Sequence, residues 1–378
     1  MIRWSEHGQD RSALWRSAAG VPAPRRVQCV DDTLAADTAY RLACEGTALL
    51  WRGDFQNARH LLQALARRAD RKPRKAPAKS PQATTPAEAF HLHRQAQGQR
   101  ARVLAMVLIP LDGGYAIPLR RAPDWRAACT EAWGPAPGEP LVASLRELLG
   151  IVGAHEWRKK GVEVPALGAR IHPHYGVFSP VRGEYVDLVA QAPLPQGCGV
   201  AFDIGVGTGV LSAVLARRGV PRVVATDQDP AALACAQDNL HRLGLQGSVE
   251  LLQVNLFPPG QAPLIVCNPP WLPARASAPI ERAVYDEGSA MLRGFLAGLG
   301  GHLAPGGEGW LILSDLAEHL GLRSRDELLG WIASAGLRVI ARHDTRPRHV
   351  KSQDAGDPLH AARAAEITSL WRLASQKP

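Results

Sequence analysis

The sequence has no long apolar run. The longest, VLAMVLIPL at residues 103–111, falls far short of the roughly 20 residues that a membrane-spanning helix needs. The first residues, MIRWSEHGQDRSALW, lack the apolar core of a secretory signal. Because 46% of the residues are hydrophobic and 21% are charged, the chain has the composition of a globular protein with a buried core. We therefore expect no membrane association and a cytoplasmic location.

Cysteine is also scarce, with six residues in 378. They show neither close pairing nor the spacing of a metal site, which argues against a disulfide framework and against bound zinc. His172 and His174 flank Pro173, and such a pair could ligate a metal. Since no further ligand lies nearby in the sequence, we favour loop histidines near the mouth of a site and predict no metal.

Acidic residues are in deficit, and the formal net charge is +9. Residues 1–100 hold 17 Lys and Arg against 9 Asp and Glu, so most of the excess lies there. The densest part, RRADRKPRKAPAK at 67–79, has seven basic residues and one acidic residue. Prolines interrupt it and the residues that follow, which predicts an extended basic linker over 71–87. Such a linker could hold RNA or DNA by its phosphates, or it could be a solvated spacer.

Two regions flank this linker. Residues 1–70 are predicted to be helical, because leucines from Leu42 to Leu65 recur at helical spacing around a break at Gly53, with Asp54 as the cap of a second helix. This pattern predicts a helical hairpin. Residues 88–165 are predicted to form a small α+β accessory region, with a β-hairpin that turns at Asp112 to Gly114.

From residue 166 to 378 we predict a single α/β domain. From about residue 199, short apolar runs alternate with helical patterns, which is typical of a parallel sheet covered by helices. One helix is well delimited, by Asp229 as N-cap, Pro230 at its first position and Gly244 after its last turn. Seven strands can be counted, and the last two are expected to pair antiparallel.

The stretch AFDIGVGTG at 201–209 carries the first chemical signal. Glycines alternate where a strand gives way to a helix, at a point where the backbone must turn tightly and approach a ligand. Asp227 ends the next strand, where a carboxylate can accept hydrogen bonds from both hydroxyls of a ribose. Together these features predict an adenosine-type cofactor at the carboxyl ends of the strands, bound by Asp203, Gly205, Gly207, Gly209 and Asp227.

This arrangement resembles motif I of the class I S-adenosylmethionine-dependent methyltransferases. The glycines follow the pattern G-x-G-x-G with Asp203 two residues ahead, and Asp227 matches the family's ribose-binding acid. The resemblance implies a Rossmann-like fold of seven strands and S-adenosylmethionine as the cofactor. Asn255 stands where many relatives have an acid near the adenine, so a neutral amide would serve there.

The stretch LIVCNPPWLP at 264–273 carries the second signal. NPPW is similar to the [D/N]-P-P-[Y/F/W] motif of the family's amino-methyltransferases, which implies a planar NH2 as acceptor. The side-chain oxygen of Asn268 and the main-chain oxygen of Pro269 can then accept the two N–H hydrogens. Pro270 stiffens the turn, and Trp271 offers a flat face for stacking in place of the more usual Tyr or Phe.

The substrate is less clearly indicated. HPHYGVFSPVRGEYVDLV at 172–189 resembles the RsmC-type ribosomal RNA guanine methyltransferases, whereas residues 285–313 are similar to the HemK-type protein-glutamine methyltransferases. Because the amino-terminal third is basic, we prefer an exocyclic base amine of RNA or DNA as the acceptor. The alternative is the side-chain amide of a protein glutamine. A third hypothesis is a non-catalytic binding module that retains the fold, and the sequence gives no indication of oligomeric state.

Overall fold

The computed structural model describes residues 1–18, 20–71, 83–276, 279–348 and 356–376. The chain forms two compact units: residues 1–83 with 91–156, and residues 84–90 with 157–378. None of the helices in the described ranges combines the length and the apolarity that a membrane crossing requires. Most of the predicted basic linker, residues 72–82, lies outside the described residues, and with it four of its basic residues: Lys72, Arg74, Lys75 and Lys79.

The first unit is built on a mixed sheet that has six strands within the described residues, in the order β1-β2-β6-β5-β4-β3. The strands are β1 (Ile2–Glu6), β2 (Gln9–Arg16), β3 (Arg26–Val30), β4 (Thr47–Trp51), β5 (Val107–Leu111) and β6 (Leu141–Ser144). The helices of this part of the chain are α1 (Ala36–Cys44), α2 (Phe55–Ala69), α3 (Pro86–Leu104), α4 (Arg126–Trp133) and α5 (Leu145–Lys160).

The predicted helical hairpin is wrong. A buried strand, β4, separates α1 from α2 and pairs in parallel with both β3 and β5. The leucines that fit a helical period, Leu49 and Leu50, are fully buried in the sheet. The cap is confirmed, because the Asp54 carboxylate accepts a hydrogen bond from the backbone N–H of Gln56 at the start of α2.

The predicted β-hairpin at Asp112 to Gly114 is also wrong. Strand β5 pairs antiparallel with β6, thirty residues further along the chain. One sheet therefore takes strands from both predicted amino-terminal regions, which contradicts their division at residues 70 and 88. The linker is shorter than predicted, since Pro86 begins α3 at a position where its missing N–H costs nothing.

The second unit contains the predicted α/β domain. Within the described residues its main sheet has seven strands in the order β11-β10-β9-β12-β13-β15-β14. They are β9 (Val200–Ile204), β10 (Arg222–Asp227), β11 (Val249–Gln253), β12 (Ala262–Cys267), β13 (Leu303–Ser314), β14 (Leu337–Thr345) and β15 (Thr368–Ser375), preceded by a two-stranded ribbon of β7 (Val162–Val164) and β8 (Ala169–Ile171). As predicted, the last two strands pair antiparallel.

Helices cover both faces of this sheet. They are α6 (Glu184–Gln191), α7 (Val210–Arg217), α8 (Pro230–Arg242), α9 (Ala290–His302), α10 (Leu316–His319), α11 (Arg325–Ser334) and α12 (His360–Ala365). One core cluster packs α6, α7 and α8 against one face, and a second packs α9 and α11 against the other. The predicted caps of α8 are confirmed: the Asp229 carboxylate accepts from the N–H of Ala231, Pro230 is the first helical residue, and Gly244 takes a left-handed φ of +69°.

Candidate active site

The predicted site residues follow neighbouring parallel strands. Strand β9 lies between β10 and β12, and all three run in the same direction. Asp203 is the penultimate residue of β9, Asp227 ends β10, and Asn268 follows β12 directly. The fold therefore brings the two predicted motifs to one edge of the sheet, where ligands of open α/β sheets bind.

The glycine loop after β9 needs left-handed backbone at three positions. The φ angles of Gly205, Gly207 and Gly209 are +79°, +51° and +80°. A Cβ on Gly205 would lie 2.9 Å from the Cε of Met291, and one on Gly209 would lie 3.3 Å from the Cα of Ala236. A Cβ on Gly207 would meet no atom within 4 Å. A Cβ on Gly205 would thus have to displace the flexible end of Met291, one on Gly209 would crowd Ala236 of α8, and Gly207 leaves open space at the loop.

Asp203 is buried below this loop. Its Oδ2 accepts a hydrogen bond of 2.5 Å from the hydroxyl of Ser212 on α7. Burial raises the pKa of Asp203 to about 7, and the nearby Asp227 adds to the rise. The carboxyl group therefore titrates near neutral pH, and a cationic ligand group beside it would favour its ionised form.

Asp227 supports the loop from the next strand. Its Oδ2 accepts from the backbone N–H of Gly207 at 3.2 Å, and its Oδ1 accepts from the N–H of Asp229 at 3.0 Å. Burial raises the pKa of Asp227 as well. Because a carboxylate has about four acceptor directions, the Asp227 carboxylate keeps capacity for a ligand hydroxyl.

Asn255 lies two residues beyond β11, in an exposed bend. The next residue, Leu256, has a φ of +61°, and its carbonyl accepts a 2.5 Å hydrogen bond from the hydroxyl of Thr226 on β10. This bond fixes the bend next to the end of β10, so Asn255 is placed at the same edge as Asp227. The open loop at Gly207, the acceptors of Asp227 and the buried Asp203 fit an adenosine cofactor that carries a cationic sulfur.

The NPPW turn is organised by a bond between its own ends. The indole Nε1 of Trp271 donates a hydrogen bond of 2.9 Å to Oδ1 of Asn268. Pro269 is buried, and Asn268, Pro270 and Trp271 are partly exposed. An amide oxygen accepts two hydrogen bonds, so Oδ1 keeps one direction for an acceptor substrate.

The segment after the turn is fixed to α9. The backbone of Leu272 pairs with that of Val284 and Asp286, at 3.1 and 2.9 Å. The Asp286 carboxylate then accepts from the N–H groups of Met291 and Leu292 in the first turn of α9. Since Met291 also packs beside Gly205, one helix start supports both the NPPW turn and the glycine loop.

Arg182 lies beside the NPPW turn and is a further candidate residue, which the sequence did not single out. Its guanidinium carbon lies 5.1 Å from the centroid of the Trp271 ring. Its Nε donates to Glu184 at 3.0 Å and its Nη2 donates to Glu366 at 2.9 Å. Arg182 belongs to the stretch quoted above for its likeness to other methyltransferases, but only its basic side chain beside Glu184 in an otherwise apolar run gave any signal.

The two histidines serve a structural role. The backbone N–H of His172 donates to Oδ1 of Asn239 on α8, at 2.7 Å, and a ring nitrogen of His174 lies 3.2 Å from Asp238 on the same helix. Across the described part of the chain, no group of three or more His, Cys, Asp or Glu side chains is arranged to hold a metal ion. The favoured interpretation, loop histidines, agrees with these contacts.

Comparison with known proteins gives the family. The model of the methyltransferase small domain matches residues 168–322. The chain is 32% identical over 220 residues to a ribosomal protein L11 methyltransferase of Parasynechococcus marenigrum, covering 53% of this chain and 72% of that protein. It is 29% identical over 180 residues to a release factor glutamine methyltransferase of Cereibacter sphaeroides, covering 43% and 62%. It is 33% identical over 150 residues to an L11 methyltransferase of Pelotomaculum thermopropionicum, covering 36% and 43%.

For the last two relatives, the chain spans only about half of their length. The matched part includes both motifs and the strands that carry them. The chain therefore belongs to the class I S-adenosylmethionine-dependent methyltransferases, in the group with the methyltransferase small domain, and it is an enzyme whose cofactor is S-adenosylmethionine.

Proposed function

We propose that this enzyme methylates the side-chain amide nitrogen of a protein glutamine. The observation that carries the proposal is the fixed Oδ1 of Asn268, which accepts the Trp271 indole N–H and keeps one direction for a further N–H donor. An acceptor of N–H groups at the end of β12 suits a substrate that presents a planar NH2.

A planar NH2 is a poor nucleophile because its lone pair is delocalised. When bound, S-adenosylmethionine would supply a methyl carbon that the nitrogen lone pair can attack, with the C–S bond breaking to release the neutral thioether and the methylated nitrogen giving up one proton to water. Asn268 Oδ1 and the main-chain oxygen of Pro269 are proposed to accept hydrogen bonds from the two N–H groups. These bonds would turn the nitrogen lone pair out of conjugation with the neighbouring carbonyl or ring. The proline pair keeps these oxygens in place, so that little reorganisation is needed during transfer.

The surroundings of Trp271 favour a small amide over a stacked base. Arg182 covers one face of the indole, and the indole edge is bonded to Asn268. Glu184 and Glu366 are both buried and share the single Arg182 guanidinium, which leaves this end of the site with more negative than positive charge. A phosphate backbone would be repelled here, whereas a neutral amide would not.

The charge of the first unit gives less support to a nucleic acid than the sequence indicated. Several of its arginines are paired with acids of the same unit: Arg52 with Glu6, Arg68 with Asp37, and Arg100 with Asp70, each at 2.7 Å. The two enzyme groups reported above modify proteins according to their names, a release factor and ribosomal protein L11. These observations favour the protein-glutamine alternative over the preferred base amine.

The test is transfer of labelled methyl to separated protein, RNA and DNA fractions of source cells that lack this enzyme. Label is expected in protein, and mass spectrometry of the labelled peptide should place about 14 Da on a glutamine. Asn268→Ala should abolish transfer while leaving cofactor affinity nearly unchanged. Arg338→Ala, an exposed change on β14, is the matched control and should transfer as the wild type does.

The other outcomes are equally informative. Label confined to RNA or DNA would overturn the proposal in favour of a base amine. Label on a protein residue other than glutamine would keep the protein substrate and reject the amide.

A further inference from the structure

Arg182 is held in place by residues at the start of α6, just before β15 and at the end of β13, all at the sheet edge where the parallel strands end. It lies in the connection between β8 and α6, while its partner Glu366 stands two residues before β15. Glu366 Oε1 also accepts a 2.6 Å hydrogen bond from the hydroxyl of Ser314, the last residue of β13. Its other partner, Glu184, is the first residue of α6. The guanidinium is therefore fixed at two of its nitrogens by groups from separate elements.

These partners are themselves buried, and Ser314 is hydrogen-bonded to the backbone. The side chains of Glu184 and Glu366 are 3% and 2% exposed, and Ser314 is buried. The Ser314 oxygen also accepts from the backbone N–H of Leu316, which starts α10. A planar guanidinium with fixed Nε and Nη2 has a fixed plane, so its position over the Trp271 ring is determined in advance.

The position of the Trp271 ring in turn fixes the orientation of the Asn268 side chain. Its ring is covered by Arg182 on one side, and its Nε1 donates to Asn268 Oδ1. A rotation of the indole away from the guanidinium would move Nε1 and break the 2.9 Å bond. The orientation of the Asn268 carboxamide thus depends on a residue 86 positions earlier in the chain.

We propose that Arg182 is a positioning residue: lying over the Trp271 ring and anchored by Glu184 and Glu366, it holds the indole so that Trp271 keeps Asn268 Oδ1 directed for the acceptor N–H. The assignment rests on the proposed role of Asn268 toward a planar NH2. Lysine cannot replace Arg182 in this role. Its ammonium group keeps the positive charge for the two carboxylates, but it is not planar and cannot donate from two separate nitrogens at a fixed spacing.

The experiment is a double-mutant cycle on the full chain with Arg182→Lys and Trp271→Phe. Turnover is measured with whichever acceptor class the wild type labels, so the cycle remains valid if that acceptor proves not to be glutamine. Arg182→Lys is expected to lower kcat by roughly 2- to 10-fold, no more than loss of the Trp271 N–H itself, with unchanged cofactor Kd and an unchanged melting temperature. In the Trp271→Phe background, which already lacks the N–H that donates to Asn268, Arg182→Lys should lower kcat by less than about twofold.

The matched control is Arg342→Lys. The guanidinium carbon of Arg342 also lies over an indole, 4.8 Å from the centroid of Trp371, and Arg342 pairs with Asp344, but it lies on β14 away from the NPPW turn. It should leave kcat unchanged. If Arg182→Lys lowers the melting temperature, Glu184→Gln replaces it, since this change loosens one anchor of the guanidinium and should give a smaller loss of kcat that also disappears in Trp271→Phe.

Two results would overturn the assignment. Wild-type kcat in Arg182→Lys would show that charge alone is needed. An equal fall in kcat when Arg182→Lys is made in the wild type and in Trp271→Phe would show that Arg182 does not act through Asn268. Failure of the proposed function looks different, because it appears as label in nucleic acid or on another residue, whatever the cycle returns.

Discussion

The indole N–H of Trp271 donates a hydrogen bond of 2.9 Å to the side-chain oxygen of Asn268, three residues earlier in the same turn. A tryptophan at this position thus does more than present a flat surface. Phenylalanine has no donor, and the hydroxyl of tyrosine lies at the far end of its ring. The orientation of the proposed N–H acceptor therefore depends on a donor that neither phenylalanine nor tyrosine would supply at this position.

Trp271→Phe should lower kcat while leaving the cofactor Kd nearly unchanged. The aromatic surface is kept but the bond to Asn268 is lost, and a neutral hydrogen bond contributes about 0.5–1.5 kcal/mol. A decrease of roughly 2- to 10-fold is therefore expected. Single-turnover transfer at saturating cofactor, together with a cofactor titration, separates the two quantities.

Trp371→Phe serves as the control, since Trp371 lies on β15 between two arginines and outside the turn. Unchanged single-turnover rates in Trp271→Phe would mean that Asn268 keeps its orientation without the indole. A raised cofactor Kd would instead place Trp271 in cofactor binding.

Part of the site could be predicted from the sequence because its residues are local to a strand end. Asp203, Asp227 and Asn268 each stand at the end of a short apolar run, and parallel strands bring such ends together. Arg182 could not be predicted in the same way. Its contacts join it to Trp271 and Glu366, 89 and 184 residues away, and only the fold brings them together.

Gly207→Ala should raise the cofactor Kd more than it lowers stability. A Cβ at this position would enter open space beside Asp227, the space proposed for the cofactor, and would also strain a backbone with φ of +51°. Left-handed backbone costs a non-glycine residue about 1 kcal/mol, so a modest loss of stability is expected as well. Gly244→Ala, with φ of +69° and equally open space, is the matched control for strain alone. Equal cofactor Kd values in the two variants would argue against a cofactor beside Gly207.

Asp203 predicts a pH dependence of stability with a definite sign. Burial raises its pKa to about 7 in the folded protein, against about 3.9 in an unfolded chain. Between these values the folded state binds more protons than the unfolded state. The free energy of unfolding should therefore fall as the pH rises from about 4 to 7 and should be constant above that range.

Asp203→Asn removes this dependence, because the amide is neutral at every pH and its oxygen can still accept from the Ser212 hydroxyl. The free energy of unfolding of the variant, relative to that of the wild type, should therefore rise by about 3 kcal/mol from pH 5 to pH 8. Chemical unfolding of both proteins without cofactor at the two pH values measures the difference, and contributions from groups that do not interact with Asp203 cancel; Asp227, which interacts with it, does not cancel fully. A difference that is independent of pH would mean that Asp203 is ionised throughout.

The fold was predicted well where the pattern was local and wrongly where it was not. In the α/β domain, apolar strands alternate with capped helices, and each element can be recognised from its own residues. TALLW at 47–51 is too short for periodicity to distinguish a strand from a buried helix segment. Its pairing with β5, nearly sixty residues later, makes it a strand. The same non-local pairing turned the predicted hairpin near Asp112 into part of a mixed sheet.

The basic residues of the predicted linker decide between the two substrate classes. Lys72, Arg74, Lys75 and Lys79 can be replaced together by glutamine without touching α2, which ends at Ala69, or α3, which begins at Pro86. If the acceptor is a protein amide at the end of β12, this fourfold variant should keep the wild-type kcat/KM at both 50 and 200 mM salt. If the acceptor is a base in RNA or DNA, each lost phosphate contact would weaken binding, and the salt dependence of kcat/KM would become shallower.

The control for the altered net charge changes four exposed arginines elsewhere to glutamine: Arg3, Arg217, Arg222 and Arg338. A loss confined to the linker variant and larger at low salt would return the assignment to a nucleic-acid amine, because a solvated spacer has no reason to affect turnover in a salt-dependent way.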